Sequence, residues 1–309
     1  MSVIEEINKR CRQPCQQLGG VFYYLPQVSD FQKKEINFHQ QIYQEEEEIH
    51  QLASWRNRFY HQYFKKWLLR LPPSSLILEI GAGSGFDLSP LLERGYRVIT
   101  SDISQDSVIA IKEKFNGQYP DQLGYLVADG GNLPFADNAV EASFMVAAFH
   151  HLENPAKALA EIKRVTTPDG LIILAMEPSK FMRRFTGLFS NYKKLRVHHG
   201  YSVADETHSG FSRADFIEFG LPVLKIKRVW LLLGFVHYGL EALFRLFKLK
   251  KRITMPLFFE WLLLVLDEVL LQVPLINRLN WHWIVVLKVH KYRFAESAGR
   301  DKPGSQGAD

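Results

Sequence analysis

Between residues 76 and 178, short apolar runs alternate with amphipathic segments, and this alternation restricts the possible folds more than any other feature of the chain. "SLILEI", "YRVITSD", "LGYLVAD", "VEASFMVAA" and "LIILAMEP" read as buried strands. "GFDLSPLLERG", "SQDSVIAIKEKF" and "NPAKALAEIKRVTTPDG" read as the helices between them, the first closed by Gly95 and the last by a Pro-Asp-Gly turn. Strands separated by helices return parallel, because a parallel return needs a crossover. The expected product is a doubly wound α/β sheet with helices on both faces.

The flanks are less regular. Residues 1 to about 35 carry Pro14, Gly19, Gly20 and Pro26 and read as an irregular arm. From 36 to 70, aromatic and aliphatic residues at helical spacing predict one or two helices, stopped by Pro72-Pro73. This N-terminal unit (1–70) precedes a core over 71–178. A C-terminal half over 179–294 follows, with a polar, basic lid at 179–210, a helix at "SRADFIEFG" and a strand at "PVLKIKRVW". Two strongly apolar segments lie within about 231–275, and "WHWIVVLKVHKY" alternates like a last strand. The polar tail 295–309 is expected to be disordered.

Composition excludes little: 47% hydrophobic and 23% charged residues suit a globular chain, and the net charge of +5 is mild. The acidic run Glu45 to Glu48 argues against a uniformly basic nucleic-acid surface. Cys11 and Cys15, the only cysteines, are too few for a closed four-ligand zinc site, so no metal is expected. Without an apolar leader at the N-terminus, the default expectation is the cytoplasm.

"LEIGAGSG", residues 78–85, follows the first strand of the core. A strand–glycine turn–helix places ligand at the carboxyl edge of a parallel sheet. Phosphate-loop chemistry is a poor fit, because the turn ends in Gly85-Phe86-Asp87 and has no lysine. A dinucleotide loop would put its third glycine at position 86, which is Phe86. Close helix–strand packing alone would also account for three glycines, though not for the acids in register downstream.

The stretch resembles the cofactor motif of class I S-adenosylmethionine (SAM)-dependent methyltransferases, acidic-x-G-x-G-x-G, as Glu79-Ile80-Gly81-Ala82-Gly83-Ser84-Gly85. SAM has no phosphate; it needs backbone close to a nucleoside and an amino-acid tail, which glycine permits. The likeness extends through Asp102 in "VITSDIS", Asp129-Gly130, Leu133-Pro134-Phe135, "AAFHHLENP" and "RVTTPDGLIIL". It implies a Rossmann-like sheet of seven strands, the last antiparallel, with N-terminal helices and a helical C-terminal insertion. It implies that Asp102 accepts the ribose hydroxyls, that Asp129 and Gly130 face the adenine, and that Glu79 orients the loop or the cofactor's amino group. By the same resemblance, Ala82, Ile103 and Ala147 border the cofactor.

Methyl transfer needs a base only for some acceptors. The candidates are His150, His151, Glu177, His198, His199 and His208, with His151 leading because its segment borders the transferred methyl. A packing or capping role for His151 competes. The apolar segments of 231–275 contain Glu241, Arg245, Glu260, Asp267 and Glu268, so neither suits a membrane span. They could roof the substrate pocket, contact a second copy, or anchor at a membrane surface with Lys248, Lys250, Lys251 and Arg252. The expected activity is methyl transfer from SAM to a small or lipophilic acceptor. Its rivals are a non-catalytic SAM-binding or membrane-associated module and, further off, a nicotinamide-dependent oxidoreductase.

Overall fold

A computed structural model describes residues 2–44, 55–188, 202–247 and 255–289. Among these residues a single sheet has nine strands, two more than the resemblance implied. The additional two come from the N-terminal arm, which is ordered rather than irregular. After helix α1 (Val3–Arg10), strands β1 (Gln16–Leu18) and β2 (Val21–Tyr24) form a hairpin. β2 then pairs parallel with β5 (Leu123–Ala128) at one edge of the sheet.

The remaining strands are those the alternation predicts: β3 (Leu76–Ile80), β4 (Arg97–Asp102), β5, β6 (Val140–Val146) and β7 (Thr166–Pro178), then β8 (Val223–Val229) and β9 (His282–Lys288). Their spatial order is β1-β2-β5-β4-β3-β6-β7-β9-β8. β3 to β7 are mutually parallel, and β9 runs antiparallel to both neighbours. Helices cover both faces, so every residue of β3 is buried. Leu76, Leu78 and Ile80 pack with Val3 and Ile7 of α1 and with Leu159, Ile162 and Val165 of α6 (Pro155–Val165). Ile77 faces the opposite layer, with Tyr60, Phe64 and Leu68 of α3 (Trp55–Leu68).

Three boundaries differ from those expected from the sequence. The helix of "GFDLSPLLERG" shrinks to α4 (Ser89–Leu92). The expected turn "TTPDG" instead opens β7, a strand of 13 residues with left-handed Asp169 inside it. α2 (Asp30–Gln44) and α5 (Gln105–Phe115) lie where helices were expected, although α2 starts earlier. In the segment expected to form a lid, the described residues hold α7 (Lys180–Leu188) and α8 (Val203–Thr207), and "SRADFIEFG" forms α9 (Arg213–Glu218). The tail 295–309 lies outside the described residues.

The apolar insertion folds as α10 (Leu232–Leu246) and α11 (Leu257–Leu270). Buried Asp267 of α11 accepts the amides of Leu231, Leu232 and Leu233 at 2.9, 2.7 and 3.2 Å, closing the open start of α10. α11 is inverted for a helix in water. Glu260 and Asp267 are 3% and 0% exposed, whereas Phe258 and Val269 are 65% and 61% exposed. Trp261, Leu262, Val265 and Leu266 share that outward exposure. No helix among the described residues is long and apolar enough to cross a membrane.

Candidate functional site

The glycine loop sits where β3 ends, and its backbone takes turns that side chains resist. Gly81, Gly83 and Gly85 have φ of +69°, +53° and +62°. A Cβ on Gly81 would lie 2.6 Å from the Ala148 Cβ, so this glycine lets the loop approach the turn after β6. A Cβ on Gly85 would press on Ile111 and Leu88 at 3.0 Å. The packing role weighed for the glycines is therefore real at Gly85. At Gly81 it joins two of the segments expected to line the cofactor.

Asp102 ends β4 beside this loop. Its Oδ2 accepts the Gly83 amide at 3.0 Å and its Oδ1 the Ser104 amide at 2.9 Å. The carboxylate is thereby fixed at the carboxyl edge, and its remaining lone pairs can accept hydroxyl groups. Ala82 donates its amide to the Ser101 carbonyl at 3.0 Å, and Ile103 is half-buried in the bend after Asp102. Asp129 follows β5, with Oδ1 accepting the Gly131 amide at 2.9 Å, a turn geometry of its own. A Cβ on Gly130 would meet Ile80 at 2.8 Å, so backbone rather than side chain lines this edge. Ala147 holds φ +51°, a conformation a non-glycine residue rarely adopts, at the start of the turn carrying His150 and His151.

Two more acids flank the loop. Buried Glu79 accepts the Thr100 hydroxyl at 2.8 Å, and burial together with the charges of Asp87 and Asp102 pushes its carboxyl up to about 8. Asp87 is also buried. Burial works against its charge, yet His61 at 2.9 Å and Lys65 at 2.6 Å hold it below the ordinary carboxylate range. Sequence reasoning used Asp87 only to exclude a phosphate loop and missed the ion cluster with α3. Asp87 is neutralised by Lys65 and His61, and Glu79 is held protonated near neutrality, so the carboxylate the loop offers to a cationic sulfonium nucleoside is that of Asp102. With the glycine cradle and this fixed carboxylate, the site fits SAM.

A second cluster stands at the turn after β6. β7 carries a bulge between Ala175 and Glu177, with Met176 at φ +59°, and the bulge re-aims Glu177 across the sheet edge. Glu177 accepts the amides of Ala148, Phe149 and His150 at 3.2, 3.0 and 3.1 Å and the His150 Nδ1 at 2.9 Å. Burial lifts its carboxyl to about 7 against those donors. Its place in this network is that of a buttress beneath the turn. The neighbouring His151 pairs through Nδ1 with Glu35 of α2 at 2.8 Å, a partner no local sequence pattern indicated. His208 packs on Phe211 with ring centroids 4.5 Å apart and accepts the Gly210 amide on Nδ1, while His198 and His199 lie outside the described residues. Cys11 and Cys15 are free thiols, Sγ atoms 3.5 Å apart.

The family profile of a methyltransferase domain matches residues 78–174. Demethylmenaquinone methyltransferase of Paenarthrobacter aurescens is 30% identical over 116 residues, 38% of this chain and 44% of that protein. The ubiquinone/menaquinone biosynthesis C-methyltransferase of Desulfotalea psychrophila is 32% identical over 102 residues, 32% of this chain and 40% of its own length. The chain thus spans less than half the length of either relative. A solved structure from Galdieria sulphuraria, named as a sarcosine dimethylglycine methyltransferase, shares the fold with a TM-score of 0.50 at 17% identity, covering 76% of this chain and 86% of that one. With the glycine loop, Asp102 and the strand order already placed, the matched segment, residues 78–174, is a class I SAM-dependent methyltransferase domain.

Proposed function

We propose that the chain transfers a methyl group from SAM to a lipophilic acceptor presented at a membrane surface. The observation that carries the acceptor class is the inverted helix α11, which hides Glu260 and Asp267 and turns Phe258, Trp261, Leu262, Val265, Leu266 and Val269 outward. Exposed apolar area on this scale is costly in water and is relieved in the headgroup–acyl boundary. Between α10 and α11 the sequence carries Lys248, Lys250, Lys251 and Arg252, which complement anionic headgroups. α10 starts at the carboxyl edge of the sheet, where Phe235 and Tyr238 pack on Trp281 at 5.4 and 5.9 Å and Phe185 on Phe235 at 5.0 Å. An apolar region thus adjoins the edge that holds the cofactor loop. The relatives named for menaquinone and ubiquinone/menaquinone biosynthesis support a quinone-type acceptor.

Glu79, Gly81, Ala82, Gly83, Gly85, Asp102, Ile103, Asp129, Gly130 and Ala147 would hold SAM, and His151 would take the acceptor's proton. When bound, SAM supplies a methyl group whose bond to sulfur breaks with the electron pair remaining on sulfur as the acceptor bonds to carbon. The protein orients the two reactants and excludes water. The C-terminal half, 179–294, forms the acceptor side, and attachment is peripheral.

Mass spectrometry of quinone and lipid extracts incubated with the enzyme and methyl-labelled SAM tests the activity. A labelled product is expected; SAM binding without product would leave a binding module. In calorimetry, SAM binds and NADH does not, and Asp102→Ala weakens SAM by about 1–3 kcal/mol through unpaired buried groups. An unchanged affinity would remove Asp102 from the site.

Glu79 adds a pH dependence. Its carboxyl is neutral below about 8 and charged above, so its attraction for a cationic cofactor appears as pH rises. The ratio of the SAM Kd in Glu79→Gln to that in the unaltered protein should therefore grow about fivefold from pH 7 to 9. A flat ratio would place the sulfonium, the cofactor charge that persists across this range, away from Glu79.

Flotation with vesicles containing anionic lipid tests the surface. The double change Phe258→Ser and Trp261→Ser should weaken partitioning by about 10²-fold, the scale of burying two large apolar side chains. Equal flotation of both proteins would rule out the α11 face.

A further inference from the structure

We infer that Glu35, on the N-terminal helix α2, positions His151 as the proton acceptor through a carboxylate–imidazole dyad; the inference rests on the methyl-transfer reading above. Glu35 lies outside the segment that matches the methyltransferase family, so this dyad is a part of the site contributed by the flanking chain.

Both carboxylate oxygens of Glu35 are engaged. Oε2 lies 2.8 Å from His151 Nδ1, and Oε1 accepts the Ala204 amide of α8 at 2.8 Å. One buried side chain thus ties together α2, the turn after β6 and α8. Burial works against its charge, but His151, the Ala204 amide and His39 overcome it and hold the carboxyl below its ordinary range. A carboxylate only accepts hydrogen bonds, so the proton on this imidazole is fixed at Nδ1 and the lone pair at Nε2. Ser202 Oγ makes a longer contact to the same Nδ1 at 3.4 Å.

The adjacent His150 does not compete for this duty. Its Nδ1 is held by Glu177, and its side chain is 8% exposed against 20% for His151. The two rings lie 4.1 Å apart, each with its own carboxylate. The buried dyad buttresses the turn, and the more open one is left to meet the acceptor. That turn borders the cofactor loop, because Gly81 packs directly on Ala148.

In the transfer, the acceptor's O–H proton passes to His151 Nε2. The electron pair so released bonds to the methyl carbon at oxygen or, through the conjugated ring, at carbon. In the second case the ring C–H proton then leaves and the oxygen regains one, so that a single proton is lost overall. The pair of the broken carbon–sulfur bond stays on sulfur. The positive charge leaving sulfur reappears on the imidazolium, beside the Glu35 anion. Glu35 therefore stabilises the charge that develops during reaction more than the ground state, the condition for acceleration.

The same geometry makes one alternative specific. The ligand atoms of Glu35, His39 and His151 lie within 4.8 Å of one another, a grouping that a divalent cation could close upon.

The test uses the full chain, labelled with 15N-histidine and saturated with S-adenosylhomocysteine, with His151 assigned by the signal lost in His151→Asn. The dyad requires the Nδ1-protonated tautomer, and Glu35→Gln should abolish that preference while leaving thermal stability and S-adenosylhomocysteine affinity close to the original. With a short-chain demethylmenaquinol as acceptor, Glu35→Gln should lower kcat about 10²-fold or more at unchanged KM for SAM, and Glu35→Asp should recover part of it. An Nε2-protonated His151, or a kcat indifferent to Glu35→Gln, would overturn the dyad. So would activity lost on treatment with EDTA and restored by zinc, which would make the three residues ligands. Absence of turnover in the unaltered protein would count against the acceptor instead, and the tautomer would still decide the dyad.

Discussion

Glu177→Ala is expected to lower the unfolding free energy by about 3–5 kcal/mol, the summed cost of leaving several buried polar groups without their partner. Glu177 is fully buried and receives three successive backbone amides and the His150 ring nitrogen. Alanine would leave all four donors without that acceptor in a site too enclosed for easy hydration. Glu177→Gln keeps one acceptor oxygen but turns an NH2 toward the other donors, so its loss should fall between alanine and the original. The pH dependence follows from the direction of the shift. Burial raises the folded carboxyl to about 7 from 4.5, so the folded chain holds this proton more tightly than the unfolded chain. The contribution of this group to stability is full below the lower value and declines as pH rises toward 7. Glu177→Ala should remove that slope as well as lower the whole curve. Urea unfolding followed by circular dichroism at pH 5 and pH 7.5 measures both effects. A loss below about 1 kcal/mol would mean that the turn has other support.

The strands of the core were legible because parallel strands covered on both faces must be apolar throughout, as in Leu76-Ile77-Leu78. The hairpin β1–β2 was not. Its first strand, Gln16–Leu18, is exposed along its length, and what fixes the second is pairing with Tyr125 to Ala128, about a hundred positions away. The start of β7 was misread for a related reason. Pro168-Asp169-Gly170 has turn chemistry, and Asp169 does adopt a turn-like φ of +66°, yet flanking sheet pairing carries the strand through it.

The site divides in the same way. The glycine loop and Asp102 lie within one strand–turn–helix–strand unit, so their spacing in the chain already fixes their spacing in space. Glu35 and His151 are 116 positions apart and meet only because the fold brings α2 against the turn after β6. A hint existed in the i, i+4 pair Glu35 and His39, which shares one helix face, but such pairs are common on helices in water. Glu177 was visible as a strand-end acid. Its buttressing role depends on the bulge at Met176, which alters the direction of the side chain without altering the composition of the strand. For α11, the apolar content was plain from the sequence. The periodicity could not say that Asp267 points inward, because that follows from the three amides at the start of α10 that need an acceptor.

His151→Ala is expected to reduce kcat for methyl transfer by about 10²–10⁴-fold, the usual contribution of a positioned base, while the SAM Kd stays within about twofold. The separation of the two effects comes from the geometry. Asp102 and the glycine loop stand on β3 and β4, whereas His151 stands after β6, with its Nδ1 turned to Glu35. Removing its ring would therefore withdraw the proposed proton acceptor without disturbing the fixed carboxylate or the glycine backbone. The loss corresponds to about 3–5 kcal/mol of transition-state stabilisation. His151→Gln sharpens the reading: it preserves bulk and hydrogen bonding but cannot take up the proton, so it should fail as badly as alanine. If glutamine restores activity, the residue positions the acceptor by shape alone. If both variants keep the original kcat, the acceptor reaches the site already deprotonated, and the chemistry narrows to acceptors acidic enough to lose their proton in water.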